Sequence, residues 1–167
     1  MNISFRPPLL QDLESIMEIE RASFTVDEAA SEKAMKERIS IIKDSFLVAV
    51  NNDDQPIGYV VGPIIQERYL YDELFEKTSL NPPSGGYQSI LSLAVAPEYR
   101  QLKVGGKLLK QLILQCKEQQ RTGITLTCLE PLIPFYKKHG FSLEGLSASQ
   151  HANVPWFNMV LELKRNE

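Results

Sequence analysis

The segment with the clearest potential for chemistry is residues 93–109, where an apolar strand pattern passes through a short loop into a predicted helix. Gly105 and Gly106 stand at the start of that helix, where free backbone amides and the positive end of the helix dipole attract anions. Glycine also lets an anionic group approach the backbone closely. Local positive charge comes from three residues, Arg100, Lys103 and Lys107. The segment predicts an anion site; a turn with two glycines and a solvated basic edge is the alternative.

Tyr136 is the second residue suited to chemistry, in the run Pro-Phe-Tyr-Lys-Lys-His-Gly-Phe at residues 134–141. A phenol with a pKa of about 10 can protonate a departing thiolate, whose thiol has a pKa of about 8.5. A packed aromatic ring with a satisfied hydroxyl is the alternative. Cys128 lies on the preceding predicted strand and is expected to be core packing. His139 falls in the last turn of a short helix, where a cation suits the dipole, and is expected to be structural.

Both segments resemble motifs of the GNAT N-acetyltransferase superfamily. Arg100-x-x-Lys103-x-Gly105 is similar to the acetyl-CoA-binding pattern Arg/Gln-x-x-Gly-x-Gly/Ala, with lysine at a position where the family usually has glycine. Residues 134–141 are similar to Phe/Leu-Tyr-x-x-x-Gly-Phe. The resemblance implies direct acetyl transfer to a primary amine from acetyl-CoA, used as a co-substrate, without a metal. It also implies that Tyr136 is the catalytic general acid.

The same resemblance implies which residues bind the coenzyme. The strand backbone before the loop is expected to hold the pantetheine arm and to polarise the thioester carbonyl. A lysine in a strained conformation at position 103 costs about 1 kcal/mol; alternatively, its ammonium group contacts a coenzyme phosphate. The implied cofactor-binding residues are Leu93, Ala94, Val95, Arg100, Gln101, Leu102, Lys103, Val104, Gly105, Gly106, Lys107 and Cys128.

Two upstream stretches, residues 18–24 and 27–31, resemble the arylalkylamine (serotonin) N-acetyltransferase branch of the superfamily. Vertebrate members of that branch carry a His-x-His pair where this chain has Ser89 and Leu91. The histidine relay is therefore absent, which favours a broader or different amine substrate. The resemblance implies substrate contacts from Phe24, Glu28, Ser89 and Leu91. A general base remains open among Glu20, Glu28, Glu130, His151 and a water chain.

The elements that must position these residues follow the order β-α-α-β-β-β-α-β-α-β-β. This order predicts an α/β (α+β) fold: a GNAT-type mixed, mostly antiparallel sheet of about seven strands with helices on both faces. The connection over residues 66–86 is long enough to predict a lid or wall. The expected strands span residues 2–6, 46–50, 57–65, 89–95, 124–129, 141–143 and 156–163. The last two are expected to form a terminal hairpin, and the strand over 124–129 is expected to lie beside the one that ends at Val95. The expected helices span residues 9–24 and 28–42, a short stretch over 69–76, the stretch after Gly106, and residues 134–139.

Composition predicts one domain over residues 1–167, with 43% hydrophobic and 23% charged residues. A net charge of −3 argues against a nucleic-acid-binding face. Two cysteines cannot form a disulfide framework, and the sequence shows neither a secretory signal nor a run of about 18 apolar residues. We therefore expect a cytoplasmic monomer or homodimer whose partners are acetyl-CoA and an amine, without nucleic acid or membrane.

Two other functions fit the same sequence. One is a non-catalytic acyl-CoA-binding module, because Lys103 and the missing histidine pair depart from two functional positions of the family. The other is an acetyltransferase for protein N-termini or lysines, since the acidic balance favours cationic substrates in general. A Rossmann dinucleotide binder is excluded, because no Gly-x-Gly-x-x-Gly follows an early strand.

Overall fold

The structure of the protein, a computed structural model, describes residues 2–148 and 151–163. Within them lie four helices: α1 (Leu13–Ser23), α2 (Glu32–Ile41), α3 (Val104–Glu118) and α4 (Ile133–Lys138). The strands are β1 (Ser4–Arg6), β2 (Phe46–Val50), β3 (Pro56–Val61), β4 (Ile64–Ile65), β5 (Tyr87–Ile90), β6 (Ser92–Val95), β7 (Gly123–Cys128), β8 (Ser142–Leu146) and β9 (Phe157–Glu162).

The strands form two sheets, which together give the expected mixed fold. The first sheet is antiparallel in the order β1-β2-β3-β6. The second has the order β4-β5-β7-β9-β8 and contains one parallel pair, β5 with β7. The expected terminal hairpin is confirmed, because β8 and β9 pair antiparallel. The predicted fold class is confirmed, although the described part of the chain contains nine strands where about seven were expected.

Two predicted strands are each divided between the two sheets. The apolar run 57–65 becomes β3 and β4, and the run 89–95 becomes β5 and β6 with Leu91 between them. Both breaks occur where the two segments of backbone approach each other closely. An ideal Cβ on Gly62 would lie 2.0 Å from the carbonyl oxygen of Ser89. Apolar periodicity cannot reveal such a change of sheet, because both halves remain buried.

The helices cover both faces of the first sheet, as expected. One core packs α1 and α2 against β2 and β3, with Met35, Ile39 and Phe46 among its buried members. The other packs α3 against the opposite face of these strands and against β7, with Leu108 and Leu112 at its centre. Because β2 is covered on both faces, all five of its residues are buried.

Helix α2 begins four residues later than its apolar pattern predicted. Ser31 is the N-cap, and its Oγ accepts a hydrogen bond of 3.0 Å from the backbone amide of Ala34. Residues 28 and 29 instead close a turn on the carbonyl of Thr25. A serine at the N-cap satisfies an amide that the first helical turn leaves free, which fixes the start of the helix.

The connection over residues 66–86 is a packed wall with one short 3-10 turn, Asp72–Phe75, where a helix over 69–76 was predicted. Arg68 holds it to the second sheet through two bonds to Glu144 of β8, at 2.8 and 2.7 Å, and through Glu162 of β9. Its apolar side chains Leu70 and Leu74 pack on the same sheet. The wall therefore has a fixed position beside the strands.

We expect acid to loosen the Arg68 attachment first. Arg68 lowers the pKa of Glu144 from 4.5 to about 2, so this contribution is complete above pH 4.5 and is lost as the pH falls towards 2. Glu144→Gln should flatten the decline of melting temperature between pH 4.5 and 2, as followed by circular dichroism. An unchanged acid slope would show that Glu144 adds nothing to stability.

No helix in the two described stretches is long and apolar enough to cross a membrane.

Candidate active site

A cleft opens where the two sheets separate. Strand β5 pairs with β7, but after Leu91 the chain continues as β6 and pairs with β3 of the other sheet. The expectation that the strand over 124–129 lies beside the one ending at Val95 is therefore wrong for β6 and right only for β5. Because β6 leaves while β7 continues, a gap opens between these two strands, and one edge of β6 has no partner strand in the described structure.

The cleft is open to solvent at its mouth, and its volume of about 630 Å³ includes that open space. It brings together six of the predicted site residues: Phe24, Glu28, Leu91, Leu93, Cys128 and Tyr136. Glu20 from the list of possible bases also lines it. Sequence reasoning missed five further lining residues: Phe75, Ile90, Thr127, Leu132 and Trp156. The lining is mainly apolar, with Glu20 and Glu28 as its charged members.

Tyr136 lies in the lining of the cleft with only 5% of its surface exposed. Its ring packs edge-on against Phe135 and Phe141, with centroids 5.0 and 5.6 Å away. Burial raises the pKa of Tyr136 above its usual value, and nearby Cys128 adds to the rise. The hydroxyl forms no hydrogen bond with the residues that the structure describes. The ring is thus held by packing while the protonated hydroxyl is left available to a ligand.

The two cysteines are unsuited to nucleophilic catalysis. Cys128 lines the cleft, but burial raises its pKa to about 11, so the thiol is neutral. Cys116 belongs to the buried face of α3, where burial raises its pKa to about 12. Their packing agrees with the structural role expected for Cys128.

The predicted anion site is the start of α3. Lys103 has the left-handed conformation (φ 58°, ψ 32°) and serves as N-cap, and Val104 behind it is fully buried. Gly105 and Gly106 occupy the next two positions, where an α-helix leaves its amides free. A Cβ on Gly105 would lie 3.8 Å from both Phe135 and Val95, so this helix start adjoins α4 and the end of β6. Free amides thus lie beside one end of the cleft.

The conformation of Lys103 explains why a glycine would suit this position. A side chain at φ 58° is strained, and glycine avoids that strain. We expect Lys103→Gly to stabilise the free protein by about 0.5–1 kcal/mol, or roughly 2–4 °C in melting temperature for each kcal/mol. Lys103→Ala is the matched control, since it removes the charge and retains the Cβ. Equal melting temperatures in the two variants would show that strain is not the cause.

The side chain of Arg100 forms three hydrogen bonds around the loop before α3. Its guanidinium donates to the carbonyl of Val95 at 3.1 Å, to Ser23 Oγ at 3.2 Å and to the carbonyl of Ala22 at 3.4 Å. These bonds tie the loop before α3 to the end of α1. The side chain therefore holds the loop in the free protein, and its contact with the coenzyme stays a prediction. The remaining basic residues of the segment, Lys103 and Lys107, are exposed beside the helix start.

Three other residues that were expected to contact the substrate or to act as a base do not line the cleft or are not among the described side chains. Ser89 is fully buried, and its hydroxyl donates to the carbonyl of Pro63 at 2.5 Å, so the expected substrate contact is not available. Glu130 is exposed in a 3-10 turn and is not part of the lining. The side chain of His151 is outside the described residues.

Glu20 is the most enclosed carboxylate of the cleft, at 1% exposure. Its Oε1 accepts a hydrogen bond from the hydroxyl of Tyr59. Its Oε2 accepts from the amide of Ala30 at 2.8 Å and from Ser92 Oγ at 3.4 Å. Burial and Glu20 together raise the pKa of Tyr59. Both carboxylate oxygens of Glu20 already accept hydrogen bonds. Glu20 is therefore suited to holding neighbouring segments of the cleft together rather than to removing protons from a ligand.

A family model described as "Acetyltransferase (GNAT) family" matches residues 13–141 of the chain. Streptothricin acetyltransferase A from Bacillus subtilis (strain 168) is 29% identical over 114 residues. That alignment covers 65% of this chain and 66% of the relative, which is just under two thirds of the relative's length.

Solved structures with the same fold cover nearly the whole chain. A GNAT-like decarboxylase, GphF, in complex with isobutyryl-CoA has a TM-score of 0.81 and 16% identity, covering 96% of this chain and 100% of that one. Ard1 from Thermoplasma volcanium has a TM-score of 0.75 and 20% identity, covering 98% of this chain and 100% of that one. At this level of identity the likeness concerns the fold alone.

Proposed function

Because this chain belongs to the GNAT acetyltransferase family, we propose that it transfers the acetyl group of acetyl-CoA directly to a small primary amine with an apolar body, aromatic or aliphatic. The observation that carries the proposal is Tyr136, whose protonated hydroxyl is available in a cleft that adjoins the free amides of α3. The arylalkylamine-like stretches of the sequence support the choice of amine.

The coenzyme is assigned to the start of α3 and the free edge of β6. Gly105 and Gly106 leave room at the amides for a pyrophosphate, whose charge suits the positive end of the helix dipole. Lys103 and Lys107 add positive charge at this end. Residues 93–95 on the edge of β6 are assigned to the pantetheine arm and to polarising the thioester carbonyl.

Tyr136 acts when the thiolate leaves. Burial keeps its hydroxyl protonated, so it can donate to the sulfur as negative charge develops there. The amine attacks the thioester carbon directly, and the neutral thiols of Cys128 and Cys116 take no part. Glu20 and Glu28 place negative charge in the lining of the amine pocket, which attracts a cationic amine.

We expect kcat/KM to rise with pH between about 6 and 9. A free alkylammonium has a pKa of about 10.4, and only the neutral amine is a nucleophile. The raised pKa of Tyr136 means that the general acid stays protonated over this range and causes no falling limb. Initial rates with saturating acetyl-CoA in constant-ionic-strength buffers test this. A bell-shaped profile with a falling limb below pH 9 would contradict the assignment.

The proposal is tested by thiol release from acetyl-CoA with a panel of acceptors. The panel contains phenethylamine, tryptamine, spermidine, streptothricin, lysine peptides and peptides with free N-termini. Turnover with a small amine supports the proposal, and turnover confined to peptides would favour a protein acetyltransferase. Acetyl-CoA binding by calorimetry without any turnover would favour the binding module.

A further inference from the structure

Arg38 of α2 carries an unusual combination of burial and missing partners. Its side chain is 1% exposed, yet Nε and Nη1 have no hydrogen-bond partner among the described residues. Only Nη2 is bonded, to the carbonyl oxygen of Phe75 at 3.2 Å. A buried donor without a partner costs free energy, so such a group needs an explanation beyond stability.

The neighbours of Arg38 belong to the lining of the cleft. Phe75, whose carbonyl it holds, lies on the 66–86 wall, and Glu20 lies on α1. Burial lowers the pKa of Arg38, while the charges of Glu20, Tyr59 and Glu37 oppose that shift. Arg38 thus lies behind the cleft. It is bonded to the carbonyl of Phe75, and it is attracted electrostatically to the carboxylate of Glu20.

This arrangement is poor as a stabilising device. A buried arginine without a direct ion pair gains little against the cost of its desolvation, and apolar replacements of such groups are often neutral or stabilising. Local rules of this kind are broken mainly at functional sites. The position of Arg38 between two segments that line the cleft indicates that its role is to hold these segments relative to each other.

We propose that Arg38 is a specificity-determining positioning residue. It fixes Phe75, on the 66–86 wall, relative to Glu20 on α1, and so sets the width of the acceptor end of the cleft, which is the part that receives the amine. The inference rests on the proposed function, because the amine is the ligand of that end. Arg68 secures the wall at the far edge of the second sheet, and Arg38 secures it at the cleft. Replacing Arg38 removes the bond that it donates to the Phe75 carbonyl, which lets the cleft widen and admit bulkier amines.

Trp156 provides a readout that needs no substrate. It is the one tryptophan of the sequence, and it lines the same cleft. In Arg38→Met the acrylamide quenching constant of its fluorescence should rise about twofold or more. Arg121→Met is the matched control: Arg121 is also buried and also holds carbonyls of the 66–86 connection, those of Pro82 and Gly85, but it is outside the cleft lining.

The activity arm compares amines of two widths. The ratio of kcat/KM for tryptamine to that for ethylamine should rise about tenfold in Arg38→Met and stay constant in Arg121→Met. Acetyl-CoA affinity, measured by calorimetry, should be unchanged in both. Arg38→Lys, which keeps the charge and loses the planar guanidinium, should move both readouts in the same direction and serves if Arg38→Met does not fold.

The outcomes separate this inference from the proposed function. Unchanged quenching and an unchanged amine ratio in both Arg38 variants would overturn the role of Arg38 even if the wild type acetylates amines. Equal effects in Arg121→Met would also overturn it. If the wild type acetylates no amine, the proposed function fails, and the quenching comparison alone decides whether Arg38 fixes the wall.

Discussion

Tyr136→Phe is expected to lower turnover with the best amine by about 10²–10⁴-fold and to leave acetyl-CoA affinity nearly unchanged. The hydroxyl is needed only when the thiolate leaves, so its loss acts on kcat rather than on binding of the coenzyme. The ring itself packs against Phe135 and Phe141, and phenylalanine preserves those contacts. Steady-state kinetics of thiol release and calorimetry with acetyl-CoA measure the two quantities.

Tyr69→Phe is the matched control for the loss of a hydroxyl. Tyr69 donates to Glu144 at 2.7 Å, on the wall and away from the cleft lining. Its substitution should leave turnover within about twofold of the wild type. If Tyr136→Phe also stays within that range, Tyr136 is only a packed aromatic residue, and the non-catalytic binding module gains support.

Gly105→Glu is expected to weaken acetyl-CoA binding by about 10²–10³-fold. A carboxylate at the second position of α3 would lie beside the assigned pyrophosphate. Two like charges about 4 Å apart repel by about 4 kcal/mol at the effective dielectric constant of a protein surface. That energy corresponds to nearly three powers of ten in the dissociation constant. Isothermal titration calorimetry with acetyl-CoA gives the comparison.

Gly105→Ala separates the effect of charge from that of the side chain. A Cβ there meets its nearest neighbours at 3.8 Å, an ordinary contact, so the protein itself should tolerate alanine. Its affinity should remain much closer to that of the wild type than that of Gly105→Glu. An unchanged affinity in Gly105→Glu would show that the phosphate groups bind elsewhere.

Local sequence determines much of the helix start to which we assign the coenzyme. The glycine pair at the start of α3 and the amphipathic pattern that follows specify a helix start with free amides within one continuous stretch of chain. The run around Tyr136 specifies a short helix that ends before Gly140. The φ of Gly140 is 95°, a conformation that favours a residue without a Cβ. These features were predictable because each depends on neighbours only a few residues apart.

The acceptor end could be predicted only in part. Phe24, Glu28 and Leu91 were expected there and line the cleft, whereas Ser89 faces the carbonyl of Pro63 instead. The difference arises because β5 ends before Leu91 and the chain changes sheet. A shift of one residue moves a side chain to the other face of a strand, and an apolar run in the sequence does not show where such a shift occurs.

Sequence alone thus determined the fold class, the helix start that suits an anion and the tyrosine motif, because short-range backbone and side-chain preferences act within each segment. Tertiary structure alone decided where the cleft opens and which residues form its walls. Arg38, Glu20 and Tyr59 come from α2, α1 and β3, and Phe75 comes from a long connection. Their meeting depends on the packing of helices across a sheet, which no spacing within the sequence encodes.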